Sequence, residues 1–186
     1  LTRIKLQLAV IKDKDLSSKI SRDVDEMEKM LNEYLQFTST GAKDKTETFD
    51  ISELLNDTIL KYENDNIELK NSKKIYFNGR RNLITRCINN LLDNSVKYAK
   101  KISVNLQKKN STIFLSIDDD GPGVDKSEFH NIIKPFYKID KSRSESKSSV
   151  GLGLSISSDI IKSHGGDINF YKSKLGGLKV TISLPY

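Results

Sequence analysis

Apolar residues recur at steps of three and four in the first part of the chain. Leu16, Ile20, Val24, Met27, Leu31, Tyr34 and Leu35 are spaced this way, with charged residues filling the gaps. That spacing draws a narrow apolar stripe along one side of an α-helix, as in a helical hairpin or coiled coil. Ile4, Leu6, Leu8 and Ile11 form an earlier helical segment that stops at the polar Lys12-Asp13-Lys14-Asp15. The pattern therefore predicts two helices joined by a short polar turn. Thr38 to Thr48 is polar, contains Gly41 and reads as a linker.

The pattern changes after the linker. Phe49-Asp50-Ile51 opens a helix, with Asp50 as N-cap and Glu53 three residues on, a capping-box spacing. Lys74 to Phe77 suits a short strand and Asn82 to Ala99 a long helix. Ile102 to Leu106 and Thr112 to Ile117, separated by Lys109-Asn110, predict a hairpin. A glycine loop follows, then a helix near Phe129 to Ile133, a Ser/Lys-rich stretch, a second glycine loop and a helix from Leu154 to Ser163. Asp167 to Tyr171 and Lys179 to Leu184 read as antiparallel strands joined by a Gly176-Gly177 turn. Strands and helices in this mixture predict an α+β fold of the α/β-sandwich kind, a mixed sheet with helices on one face.

Composition narrows the setting. Of 186 residues, 36 % are apolar and 30 % charged, which suits a globular chain rather than a disordered one. The net charge of +6 favours anionic partners, or reflects nothing more than a lysine-rich proteome. Basic residues alternate with acids along the chain, which argues against a nucleic-acid stripe. The single cysteine, Cys87, excludes an internal disulfide and falls on the apolar side of its helix, as a packed thiol. No apolar run is long enough to span a bilayer and no signal peptide is visible. The chain begins at Leu1 in mid-pattern, as a piece of something longer would.

Three elements carry candidate chemistry. On the helix from Asn82 to Ala99, at about 100° per residue, Asn90, Asn94 and Lys97 fall on one stripe, opposite Ile84, Ile88, Leu91, Leu92, Ser95 and Ala99. An asparagine oxygen is a neutral, hard ligand suited to Mg²⁺, and Lys97 could reach a phosphate. A solvated helix face is the plainer reading. Next, Ile117-Asp118-Asp119-Asp120-Gly121-Pro122-Gly123-Val124 runs an apolar strand into acids and glycines. A carboxylate there can accept a hydrogen bond from an exocyclic amine such as adenine's, and the glycines let backbone approach a ligand. A tight turn with solvated acids, or an acidic metal site, would look the same. Finally, Val150-Gly151-Leu152-Gly153-Leu154 opens a helix, where exposed N–H groups and the dipole favour an anion. Lys138 to Ser149, between the glycine loops, is expected to be mobile and able to close over a polyphosphate as a lid.

Together these elements resemble a known family. Asn90-Leu-Leu-Asp-Asn94-Ser-Val-Lys97-Tyr98, Asp119-Asp-Gly121-Pro-Gly123, Pro135-Phe136-Tyr137-Lys138 and Gly151-Leu152-Gly153-Leu154 follow one another in order. They are similar to the asparagine box, first glycine box, phenylalanine box and second glycine box of the histidine-kinase ATPase domain, the Bergerat or GHKL fold. The resemblance covers residues 46–186. Residues 1–40, with Leu1-Thr2-Arg3-Ile4-Lys5-Leu6 at their start, resemble the end of the dimerisation and phosphotransfer hairpin of EnvZ-type osmosensor kinases.

The resemblance implies that Asn94 ligates Mg²⁺ with support from Asn90, that Lys97 and Tyr98 touch phosphate and nucleotide, and that Asp119 accepts the adenine amine. Gly121 and Gly123 would shape the pocket. Lys138 and Arg143 would contact phosphates, Lys138 without the bidentate grip of the arginine more frequent there. Gly151, Leu152, Gly153 and Leu154 would form the phosphate-facing loop where the lid hinges, with Phe136 packed under that lid. The hydrolases of the superfamily, gyrase-type topoisomerases and Hsp90-type chaperones, place a glutamate where this chain has Asn90. An amide is no general base, which favours transfer to a protein over hydrolysis. The phosphorylated histidine of the family lies just upstream of the Leu1-Thr2-Arg3 stretch. His130 reads instead as a surface helix residue and His164 as a helix-end residue whose cation would suit the dipole. The implied protein is a dimeric sensor kinase of the bacterial inner membrane, with this portion cytoplasmic, ATP and Mg²⁺ as cofactors and a response regulator as partner. A GHKL hydrolase or a non-catalytic dimerisation module are the other readings.

Overall fold

The computed structural model describes residues 14–40, 44–62, 66–70, 73–139 and 150–186, without the side chains at 26, 29, 30 and 32–40. The chain divides into two compact units, residues 1–42 with 140–150, and residues 43–139 with 151–186. In the first unit, α1 spans Lys14–Thr40. Lys14 and Asp15 already belong to this helix rather than to a polar turn, and Asp15 stands in its first turn, where a carboxylate complements the dipole. Along its seam Val24 is buried, while Leu16, Met27 and Leu31 are exposed. The helix expected around Ile4 to Ile11 lies outside the described residues.

The second unit contains β1 (Glu47–Asp50), α2 (Ile51–Ile59), β2 (Ile67–Lys70), β3 (Tyr76–Gly79), α3 (Arg81–Tyr98), β4 (Ile102–Lys109), β5 (Thr112–Asp119), α4 (Gly153–Lys162), β6 (Asp167–Lys172) and β7 (Leu178–Pro185). The main sheet runs β2-β4-β5-β7-β6, and β1 pairs with β3 in a separate two-stranded sheet. Only β2 is parallel to its neighbour; β4, β5, β7 and β6 are joined antiparallel. Asn110, at φ 53°, turns the β4–β5 hairpin in the left-handed region that asparagine tolerates.

Alternation along the strands explains the layers. Ile102, Val104 and Leu106 of β4, Ile113, Leu115 and Ile117 of β5, and Val180, Ile182 and Leu184 of β7 are all buried. Residues between them, such as Ser103, Asn105, Lys179, Thr181 and Ser183, are only part-buried. Helices cover the apolar face with Leu83, Ile84, Ile88, Leu91 and Leu92 from α3 and Ile156, Ile160 and Ile161 from α4. The predicted mixed sheet with helices on one face is the observed fold.

Several local expectations are corrected. The segment expected to be linker up to Thr48 already contains the start of β1, and Phe49 is a buried strand residue rather than the opening of a helix. Asp50 does cap α2, accepting from the backbone N–H groups of Ser52 and Glu53. The helix expected at Phe129 to Ile133 is replaced by a short 3-10 turn at Lys126–Glu128 and further turns, capped by Asp125. Pro135 disfavours a helical conformation at the residue before it, so a helix has no room to extend past Ile133.

Candidate nucleotide site

The polar stripe of α3 forms as its periodicity requires. Leu83, Ile84, Cys87, Ile88, Leu91, Leu92 and Ser95 are buried, leaving Asn90, Asn94 and Lys97 half-buried on the other side. Asn90 Nδ2 donates to the carbonyl of Gly153 at 3.3 Å, tying this stripe to the first residue of α4. Its Oδ1 is left as the acceptor. The Lys97 ammonium lies 5.1 Å from the centre of the exposed Tyr98 ring. Cys87 is packed, with burial pushing its thiol up to about 12.

The aspartates that end β5 have separate tasks. Strand neighbours point to opposite faces. Asp118 turns to the open face and pairs with Lys179 at 2.8 Å. Asp120 accepts at 2.8 Å from the backbone N–H groups of both Lys100 and Lys101, clamping the exit of α3 and holding its own carboxyl below the usual range. Asp119 turns inward and is 5 % exposed. Its Oδ1 accepts from Gly121 N and Leu178 N, each at 3.0 Å, and its main-chain carbonyl accepts from Gly177 N at 3.0 Å. Oδ2 makes no hydrogen bond among the described residues. Burial raises the Asp119 carboxyl above its ordinary value; the Leu178 and Gly121 donors pull it partly back, while Asp120 and Asp118 add to the rise.

Glycines crowd this carboxylate to different degrees. A β-carbon on Gly121 would lie 3.1 Å from both Asp119 Oδ1 and the Tyr98 carbonyl. Gly123 has φ 72°. A β-carbon on Gly177 would collide with Asp119 Oδ1 and Gly121 N. Gly177 is the residue that sequence reasoning missed: it read as a hairpin turn, and its obligation arises only from tertiary contact.

The second glycine loop meets the asparagine stripe of α3 through Asn90 and the phenylalanine motif through Gly151. Gly151 has φ 80°, and a β-carbon there would press on the backbone of Phe136 and Tyr137. Phe136 N donates to Gly151 O at 2.9 Å, although Phe136 itself is held at φ 64°. Leu152 is buried in the core, Leu154 is part-buried, and among the described residues no side chain caps the first turn of α4. The backbone N–H groups of that turn are therefore available to an anion. The motifs that are dispersed in sequence thus adjoin one another through direct contacts.

Residues 79–186 match the family model described as histidine kinase-, DNA gyrase B- and HSP90-like ATPase. The match takes in more than half of the chain. The chain belongs to this ATPase family. It is 32 % identical over 187 residues to the sensor histidine kinase GtrS of Pseudomonas aeruginosa, and 28 % identical over 199 residues to the sensor histidine kinase CpxA of Escherichia coli. All of this chain is covered in both cases, and it spans 39 % of the length of GtrS and 44 % of CpxA. The structure of the mycobacterial sensor histidine kinase MprB shares the fold, with a TM-score of 0.65 at 24 % identity, over 76 % of this chain and 97 % of that one.

Within this ATPase fold, Lys138 is half-buried at the end of the phenylalanine motif. Arg143 and most of the expected lid, residues 140–149, lie outside the described residues. Phe136, expected to pack, is 55 % exposed. His164 departs from its expected role as a cation. Its Nε2 accepts from Arg80 N at 3.0 Å and its Nδ1 faces the Ile160 carbonyl at 2.8 Å. That pair of partners selects the neutral ring with the proton on Nδ1. His130 is exposed. Among the described residues, no group of His, Cys, Asp and Glu gathers as a metal site, and no helix is long and apolar enough to cross a membrane.

Proposed function

We propose that this chain is the ATP-binding, phosphate-donating portion of a bacterial sensor histidine kinase. Residues 46–186 bind Mg-ATP, and residues 1–40 belong to the helical hairpin that dimerises the protein and carries the acceptor histidine. From that histidine the phosphoryl group passes to an aspartate of a response regulator. The parent protein is a homodimer anchored in the inner membrane by other segments, with this portion in the cytoplasm and no role for nucleic acid.

The observation that carries the reading is Asp119. Its carboxylate has one oxygen pinned by backbone donors and the other without a partner among the described residues, with Gly177 packed so closely against it that a β-carbon there would collide. The second oxygen is the one that remains to accept a hydrogen bond from a ligand. An exocyclic amine is the complement, and adenine offers one. A site built around that bond rejects a base that presents an oxo group instead.

The donor set also fits magnesium. The ion prefers oxygen ligands and keeps waters and phosphates, so it needs few protein groups. Asn94 would hold it from the polar stripe, with Asn90 beside it anchored to Gly153. When bound, the ion supplies neutralisation of charge between the β- and γ-phosphates. The chain's own contribution is positioning: Lys97, Lys138 and Arg143 draw the polyphosphate, and the first turn of α4 presents its N–H groups. Asn90 cannot take a proton from water, so the arrangement favours a protein acceptor over hydrolysis.

The test mixes radiolabelled ATP with this chain alone, and then with a separate helical hairpin carrying the acceptor histidine. The chain alone stays unlabelled, and the hairpin acquires acid-labile label. Label on His130 or His164, or acid-stable label, would contradict the reading.

A further inference from the structure

The face of the sheet opposite Asp119 carries a bonded assembly that the nucleotide reading leaves unused. Asp118 and Lys179 are direct cross-strand partners on β5 and β7. Asp118 Oδ2 receives the Lys179 ammonium at 2.8 Å, with their side chains 14 % and 32 % exposed. Asp118 Oδ1 receives the hydroxyl of Ser173 at 3.2 Å. Ser173 is buried, and its Oγ also accepts from Leu175 N at 3.0 Å. Ser173 therefore ties the β6–β7 turn to the rear of β5.

The same turn reaches round to the front. Ser173 N donates to Gly177 O at 2.9 Å, and Gly176 N to Ser173 O at 3.2 Å, closing the turn on itself. Gly177 N then holds the main-chain carbonyl of Asp119, and Leu178 N holds Asp119 Oδ1. The rear anchor and the front donors are thus parts of one closed turn. A shift of that turn moves Leu178 N, one of the two N–H groups that hold the Asp119 carboxylate, together with Gly177 N on its main-chain carbonyl, while Gly121 N, the other carboxylate donor, lies outside the turn. Hydrogen bonds weaken steeply with misalignment, so a small rotation of this carboxylate degrades the bond its other oxygen can make.

We propose that Ser173, with the Asp118–Lys179 pair, is a positioning assembly for base recognition, acting through Asp119 to set selectivity for a purine bearing a 6-amino group. It touches no part of the nucleotide. The proposal rests on the reading of Asp119 as the adenine acceptor.

The experiment measures affinity by calorimetry for ATP and for the purine ribonucleoside triphosphate that lacks the 6-amino group. The proteins are the wild type, Ser173→Ala, Lys179→Met, Lys179→Arg and Asp119→Ala. The discrimination ratio falls by about three- to tenfold in Ser173→Ala, the worth of one hydrogen bond, through weaker ATP binding with the analogue unchanged. Lys179→Met lowers the ratio, and Lys179→Arg, which keeps the cation, restores it. A purely structural role would weaken both ligands together and leave the ratio alone. Lys179→Met also keeps the test decisive should Ser173→Ala not fold. Wild-type ratios in Ser173→Ala and Lys179→Met, alongside a lost ratio in Asp119→Ala, would overturn the proposal and leave the adenine reading standing. An undiminished ratio in Asp119→Ala would instead overturn the adenine reading itself.

Discussion

At the residue scale, the role proposed for Asp119 and the stability of the fold pull against each other. Its carboxyl titrates above the ordinary 3.8 because burial disfavours the charge more than the Leu178 and Gly121 donors favour it. The folded chain thus holds this proton to higher pH than the unfolded chain, and the ionised group subtracts from stability once pH rises through the folded value. Asparagine keeps an oxygen for both backbone donors and carries no charge. Asp119→Asn is therefore expected to raise stability at pH 7. The gain shrinks as pH falls through the raised folded value and disappears below the ordinary one. Urea unfolding at pH 7 and at low pH checks this; a variant less stable than wild type at pH 7 would show that the charge, unliganded, is net stabilising. The glycines show the limits of reading residues singly. Gly121, Gly123, Gly151 and Gly153 stand in motifs that the sequence alone marks as places where backbone would approach a ligand. Gly177 stands in a turn that any hairpin could have, and only the packing of Asp119 against it makes glycine obligatory.

At the element scale, α3 and α4 were legible because each is long enough to repeat its pattern. The apolar stripe of α3 fixes its polar stripe by default, and so fixes where Asn90, Asn94 and Lys97 stand. The hairpin of β4 and β5 was legible from alternation and its asparagine turn. By contrast, β1 and β2 have four residues each with at most one of them buried, too weak a pattern to stand out, and β2 is paired in parallel across a distance in sequence. The segment after Asp125 has apolar residues at helical spacing, yet Pro135 leaves only turns. Helix termini also hide tertiary work. His164, just past the end of α4, reaches the N-cap of α3 through Arg80 N, and the Arg80 guanidinium returns to the Ser163 carbonyl at 3.3 Å.

Burial lowers the His164 pKa from 6.5, the Arg80 charge adds to the fall, and the Ile160 carbonyl opposes it. With the folded value depressed, the unfolded chain binds more protons in the interval between the two. The contribution of the neutral ring is thus complete above the ordinary value and is lost as pH falls through it towards the folded one. His164→Gln supplies an amide donor and acceptor that do not titrate. Wild type should lose more thermal stability between pH 8 and pH 5 than His164→Gln, and parallel losses would show that the ring does not link the two helices as described.

At the scale of the molecule, the fold exists to bring distant motifs side by side. The asparagine stripe meets the second glycine loop through Asn90 and Gly153, the exit of α3 meets the first glycine loop through Asp120, and the phenylalanine motif meets Gly151. The order of those motifs identified the architecture through its resemblance to a known family, while the periodicity alone gave a mixed sheet with helices on one face. The rear bracing of Asp119 by Ser173 was not legible, since a serine after one strand and a lysine in the next carry no sequence signal of their shared partner.

The most direct measurement is calorimetric titration of the chain with ATP and GTP in the presence of Mg²⁺, repeated for Asp119→Ala. The account predicts binding of ATP, no comparable binding of GTP, and a loss of about ten- to a hundredfold in ATP affinity for the variant, as for a hydrogen bond to a charged group. Equal affinity of the wild type for ATP and GTP, or unchanged ATP affinity in Asp119→Ala, would contradict it.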